Sequence, residues 1–269
     1  MGGAIKAEFR KFFTTRMWWG MAIGVFLAGA LFALIFAVWV PGSQQQGANG
    51  ASGTPLPGLD NTAMVNTVYT AGLSLAYLLT LVVGVMSIGS EYRHMTITST
   101  FLATPKRVHV MGAKVTSLLG IGVFYGLVFL LGSVGVGATT IAMKGFSPFP
   151  ECGTVTRTLA LSLLVLGLWA LVGLGAGILI PNQVAAILIA VGTALIVEPL
   201  LGFLLGLVSW GKTIVPYMPS QATSAMVGQV NAGTSVQLLS WLAGALVLVA
   251  YAAVLAGIGS LLTVRRDVS

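Results

Sequence analysis

Five stretches of this sequence carry no charged residue: Met17 to Val40, Ala63 to Ser90, Val115 to Met143, Thr158 to Val197 and Val236 to Val264. A helix rises about 1.5 Å per residue, so about 20 apolar residues cross the ~30 Å hydrocarbon layer of a bilayer, and every run reaches that length. The fourth run is long enough to cross twice. Its interior Pro181-Asn182-Gln183 is the turn signal, because proline removes a helical donor and the two amides are costly in lipid. Six spans follow, predicted over 17–40, 63–89, 110–143, 158–180, 184–209 and 237–263. Continuously apolar runs argue against a transmembrane barrel, whose strands alternate polar and apolar residues. The predicted class is an all-α integral membrane protein, a single transmembrane domain over 1–269.

Composition agrees, since 7% of the 269 residues are charged and 57% are hydrophobic, too little charge for a water-facing surface. The single cysteine, Cys152, excludes an intrachain disulfide. Sixteen residues carrying Lys6, Arg10, Lys11 and Arg16 precede an apolar run longer than a signal-peptide core, so the first span is expected to be retained.

Six spans place both termini on one side, and charge says which. Lys6, Arg10, Lys11, Arg16, Arg93, Lys106, Arg107, Lys114, Arg265 and Arg266 fall on the side of the termini, against Lys144, Arg157 and Lys212 opposite. That bias predicts cytoplasmic termini, with the segments 41–62, 144–157 and 210–236 outside. The first of these is rich in Gly, Ser, Gln and Pro and reads as a flexible loop. The net charge of +7 is accounted for by span ends and lipid headgroups, not by nucleic acid. Ahead of the first span, Ile5, Phe9, Phe12 and Phe13 recur at helical spacing, with Lys6, Glu8, Arg10 and Lys11 on other faces. This predicts an amphipathic interfacial helix over 3–16, serving either as an anchor or as a contact for a cytoplasmic partner.

Enzymatic constellations are thin. Gly206-Leu-Val-Ser-Trp-Gly-Lys212-Thr213 matches the phosphate-loop pattern letter for letter. That pattern works between a strand and a helix, whereas here it follows a long apolar helix and falls outside the cell. The aspartates, Asp60 and Asp267, are also misplaced for holding Mg²⁺. His94 and His109 are the only histidines and have no Cys or acidic cluster around them. No catalytic, cofactor-binding or metal-binding residue is expected.

The densest charge lies between the second and third spans, over 91–107: Glu91-Tyr-Arg93-His-Met-Thr96-Ile-Thr-Ser-Thr-Phe101-Leu102-Ala-Thr104-Pro105-Lys106-Arg107, followed by Lys114. Ile97 with Phe101 and Thr98 with Leu102 are i,i+4 pairs, and Pro105 turns Thr104 away from helix, so a short helix ending near Ala103 is predicted. Such a helix is either a docking element or a plain connector.

Glu91, Thr96 and the string from Thr100 to Arg107 with Lys114 resemble the signature of type-2 ABC exporter permeases. The likeness covers the whole chain: an amphipathic N-terminal helix, six spans, and an outer segment before the last span. Arg93-His94-Met95-Thr96 departs from the family, which often has glycine near Met95 or Thr96. The resemblance implies that 91–107 is a coupling helix seated on a separate cytoplasmic ABC ATPase, with ATP and Mg²⁺ bound there and none in this chain. It implies Phe101 and Leu102 as apolar plugs, Pro105 as the helix stop, and Glu91, Arg93, Lys106 and Arg107 as charged partners of the ATPase or of the N-terminal helix, whose candidate charged residues are Glu8, Arg10 and Lys11. It also implies a second permease chain, identical or homologous, in a bacterial plasma membrane.

Glu198, followed by Pro199, is the one acid within an apolar run. It reads either as a polar contact in a translocation path or as a helix-break residue near the outer interface, paired with Lys212. Beyond the break, Leu200 to Ser209 is expected to re-enter as a short outer helix capped by Pro216, Tyr217 and Pro219. Gly20/Gly24, Gly122/Gly126, Gly173/Gly177 and Gly202/Gly206 are small-residue pairs suited to close helix packing, one of them to a dimer seam. Few polar groups in the spans favour a hydrophobic or amphiphilic cargo: a drug, a lipid or a peptide. The rival classes are a stand-alone secondary transporter or channel, which needs more intramembrane acids than Glu198, and a membrane-anchored immunity or assembly factor.

Overall fold

A computed structural model describes residues 2–40, 57–94, 107–229 and 238–265. They form helices α1 (Gly2–Thr14), α2 (Met17–Trp39), α3 (Thr62–Thr70), α4 (Leu73–Arg93), α5 (Arg107–Met143), α6 (Cys152–Leu179), α7 (Gln183–Gly192), α8 (Glu198–Gly206), α9 (Gly211–Ile214), α10 (Pro219–Val227) and α11 (Trp241–Arg265). A π-helical turn, Thr193–Val197, joins α7 to α8, and a 3₁₀ turn, Val215–Tyr217, precedes α10. No strand occurs among the described residues. Six helical stretches are long and apolar enough to cross a membrane: Met17–Trp39, Thr62–Arg93, His109–Met143, Cys152–Leu179, Gln183–Gly206 and Trp241–Ile258. The chain is a multi-pass helical membrane protein.

The local chemistry of the ends explains the boundaries. Asn61 starts α3 by accepting the Ala63 N–H at 2.8 Å. Asn182, in the turn marked by Pro181, starts α7 by accepting the N–H groups of Val184 and Ala185 at 3.0 and 3.1 Å. Gly228 ends α10 with φ of 65°, a left-handed conformation that favours glycine. The second span is not one helix: α3 and α4 are separated by a turn at Ala71–Gly72 that hydropathy did not reveal. A Cβ at Gly72 would collide with the Ala28 carbonyl, so α4 starts where α2 presses closest.

The second and fourth spans form the centre. Each is 61% buried, against 17% for the fifth and sixth, which leave most of their apolar side chains facing outward. Lipid tails supply no hydrophobic drive for helices to associate, so close backbone approach matters instead. Gly84 lies against the Ala170 carbonyl and Gly173 against the Leu81 carbonyl, clasping α4 to α6 from both sides. Tyr77 and Trp169 stack across the same seam with centroids 4.1 Å apart. Of the predicted small-residue pairs, Gly173/Gly177 meets α4 and Gly122/Gly126 meets α6, while Gly20 and Gly206 have open space beside them.

The segment 210–236 holds helices that hydropathy did not reveal. Its described part folds back as α9, the 3₁₀ turn and α10, and α10 buries Ala222, Thr223, Ala225, Met226 and Val227 within the bundle. The expected re-entrant Leu200–Ser209 is instead, as far as Gly206, the continuation of the fifth helix through its π turn. The piece that turns back into the bundle is α10.

Candidate functional site

Where the chain crosses from α4 to α5, four charges from three helices meet. Glu91 sits in the last turn of α4, Lys114 two turns into α5, and Glu8 and Lys11 share one face of α1 at i,i+3 spacing. The Lys114 Nζ donates to Glu91 Oε1 at 2.7 Å and to Glu8 Oε2 at 3.0 Å. The Lys11 Nζ also donates to Glu91 Oε1 and lies 3.8 Å from Glu8 Oε1. The ring is electrically neutral, with two carboxylates against two ammoniums. The Glu91 and Lys114 side chains are each 1% exposed. Removing such a pair from water is costly, and only mutual attraction with full hydrogen bonding repays it.

Aromatic packing seats α1 so that it can complete the ring. Phe12 lies edge-on to Tyr125 of α5 at 6.0 Å, and Phe13 edge-on to Phe124 at 5.5 Å. The Tyr125 hydroxyl donates to the Trp18 carbonyl at 3.1 Å, tying α5 to the start of α2. Phe9 covers Gly120. The two helices that flank residues 95–106 are therefore joined to each other and to α1 by buried charge. A cavity of ≈ 80 Å³ beside the ring, lined by Lys11, Phe12, Ser87 and Ser117 among others, is far smaller than the ~300–1,000 Å³ usual for a ligand pocket.

Of the predicted coupling residues, Glu91 and Lys114 are brought together, and Glu8 and Lys11 join them. Arg93 and Arg10 are exposed, with no ion pair among the described residues. Thr96, Phe101, Leu102, Thr104, Pro105 and Lys106 lie outside the described residues, and Arg107 opens α5. Sequence reasoning did not foresee that Lys114 is buried or that Glu8 is its second partner. The available signal was the position of Lys114 inside a predicted span, where an ammonium must find a counter-ion.

Glu198 is not paired with Lys212. It is 8% exposed, and its Oε1 accepts the backbone N–H of Ser220 at 2.5 Å. Met218, at the N-cap of α10, offers no side-chain acceptor, so the buried carboxylate of α8 satisfies a free donor at that helix start. Nor do Glu198 and Pro199 break the helix. Pro199 falls in the first turn of α8, directly after the π turn, where a missing N–H is tolerated. Farther along α10, the Trp169 Nε1 donates to Thr223 Oγ1 at 3.0 Å, fixing α10 to the central seam.

The phosphate-loop string spans the end of α8 and the four-residue α9, with Gly211 pressed against the Leu205 carbonyl. A helix precedes it, not the strand that the phosphate-loop pattern follows. Among the described residues no three His, Cys, Asp or Glu side chains are grouped to hold a metal ion. No family model, no curated protein and no solved structure matches the chain.

Proposed function

We propose that this chain is the permease subunit of an ATP-driven exporter, working with a second permease chain and two copies of a cytoplasmic ABC ATPase. The observation that carries the reading is the ion ring of Glu8, Lys11, Glu91 and Lys114, with Glu91 and Lys114 buried, which links α1 to both helices bordering the 91–107 loop. An ATPase pressing on that loop moves the ends of the second and third spans together with α1, because separating them strands buried charge. Six crossings put both termini on one side, the cytoplasmic face of a bacterial plasma membrane by the distribution of basic residues. On this reading α1 lies in the inner interface, the 91–107 loop is the coupling element, and the chain itself holds neither ATP nor Mg²⁺. The cargo is hydrophobic or amphiphilic. The rival use of Glu198 in ion coupling is weakened by its engagement with Ser220.

The test is mild affinity purification from the native host, followed by ATPase assay of the eluate. A stoichiometric nucleotide-binding subunit is expected, with Phe101→Asp and the double change Leu102→Asp/Pro105→Leu each releasing it while leaving membrane insertion intact. A solitary chain with no ATP turnover, or a partner retained by every variant, overturns the reading.

A further inference from the structure

At the end of the bundle opposite the ion ring, where α3, α6 and α11 begin and α10 ends, a cleft of ≈ 490 Å³ is lined by Asp60, Asn66, Glu151, Arg157, Thr158 and Trp241, among others. Three features set it apart. The chain has six acidic residues, and two of them, Asp60 and Glu151, line this one cleft. Neither forms an ion pair among the described residues, and neither does Arg157, whose guanidinium rests over the Trp241 ring at 5.4 Å. Asn66, 3% exposed, has its Oδ1 buried without a hydrogen-bond partner among the described residues. A buried amide oxygen left unpaired is costly, and a donor from a bound molecule removes that cost.

The charge pattern defines the occupant. Two carboxylates and an amide oxygen are acceptors suited to a protonated primary amine, whose three N–H bonds match three acceptors. An unpaired guanidinium in the same cleft suits a phosphate, which it binds through paired N–H donors. A cation alone leaves Arg157 uncompensated, and an anion alone meets two carboxylates. We propose that the cleft binds a phosphoethanolamine group, its ammonium held by Asp60, Glu151 and Asn66 Oδ1 and its phosphate by Arg157. The group is supplied either by an ethanolamine phospholipid or as the free headgroup. The site is independent of the coupling reading, since it uses no residue of the ion ring.

Purified protein is delipidated and re-equilibrated with equal amounts of phosphatidylethanolamine, phosphatidylcholine and phosphatidylglycerol, and retained lipid is counted by native mass spectrometry. Phosphatidylethanolamine is expected to exceed each of the others by about tenfold, because the trimethylated amine has no N–H to donate and phosphatidylglycerol carries no ammonium. Asp60→Asn with Glu151→Gln, and separately Arg157→Gln, should each abolish the preference. All three side chains are at the surface, and unchanged thermal unfolding in detergent checks that the fold is intact. Displacement of the lipid by millimolar phosphoethanolamine identifies the headgroup alone as sufficient. Preference without displacement identifies the intact lipid, and either result supports the site. Equal retention of the three lipids, or a preference that survives both variants, overturns it.

Discussion

Lys114 shows how much one side chain is asked to do. It sits in an otherwise apolar helix, and its two salt links reach residues 23 and 106 positions away. Lys114→Met leaves the buried Glu91 with only the half-exposed Lys11 as partner, and should destabilise the protein by about 2–3 kcal/mol. The double change Lys114→Met/Glu91→Leu should recover most of that loss, because Glu8 and Lys11 still neutralise each other across α1. Denaturant unfolding in detergent measures both, and a double variant as unstable as the single one would show that the charges contribute little to the packing there. The sequence made Glu91 and Lys114 candidates through the pattern of the loop between them. It concealed their contact because the two residues belong to different helices, and only the docking of α1 brings Glu8 and Lys11 within reach. Glu198 was concealed similarly: its partner is a main-chain N–H, which no residue type advertises.

At the scale of elements, hydropathy located the spans and misjudged what lies beyond them. α6 begins at Cys152, six positions before the predicted 158, because a helix continues into polar surroundings after its apolar stretch ends. The count of spans and the basic-residue bias put the segment 210–236 outside, with no helix of its own predicted there. Ala222 and Ala225 nevertheless let α10 approach α11 at Gly244, where an added Cβ would press on the Ala222 carbonyl at 2.6 Å. The π turn at Thr193–Val197 carries a prediction of its own. A π turn accommodates one residue more than an α-helical path needs. Deleting Leu195 should convert it to α-helix and leave α8 in register, with the detergent unfolding temperature nearly unchanged. Inserting an alanine after Leu195 rotates α8 by about 100° and carries Glu198 away from Ser220. If the insertion were tolerated and the deletion were not, the turn would not be the register device described.

For the whole molecule, the proposed orientation of the six crossings rests on charge asymmetry and is directly testable. Cys152 is the only cysteine and is exposed at the start of α6, the end opposite the ion ring. A membrane-impermeant maleimide should label it in intact cells. A cysteine placed at Lys6 in a Cys152→Ser background should react only after the membrane is opened. The reverse pattern would invert the topology and remove a cytoplasmic partner from the 91–107 loop.

The ion ring also has an order of synthesis. Glu8 and Lys11 leave the ribosome first and already lie within 3.8 Å of each other as neighbours on one helix. Glu91 follows Lys11 by 80 residues, and Lys114 follows Glu91 by 23. When the second span is made, Lys11 on α1 is already present to meet its terminal carboxylate, before Lys114 exists. Lys114 then arrives to find both of its acceptors in place. In order of synthesis, then, the N-terminal helix brings the counter-charge before the helix pair that needs it is complete.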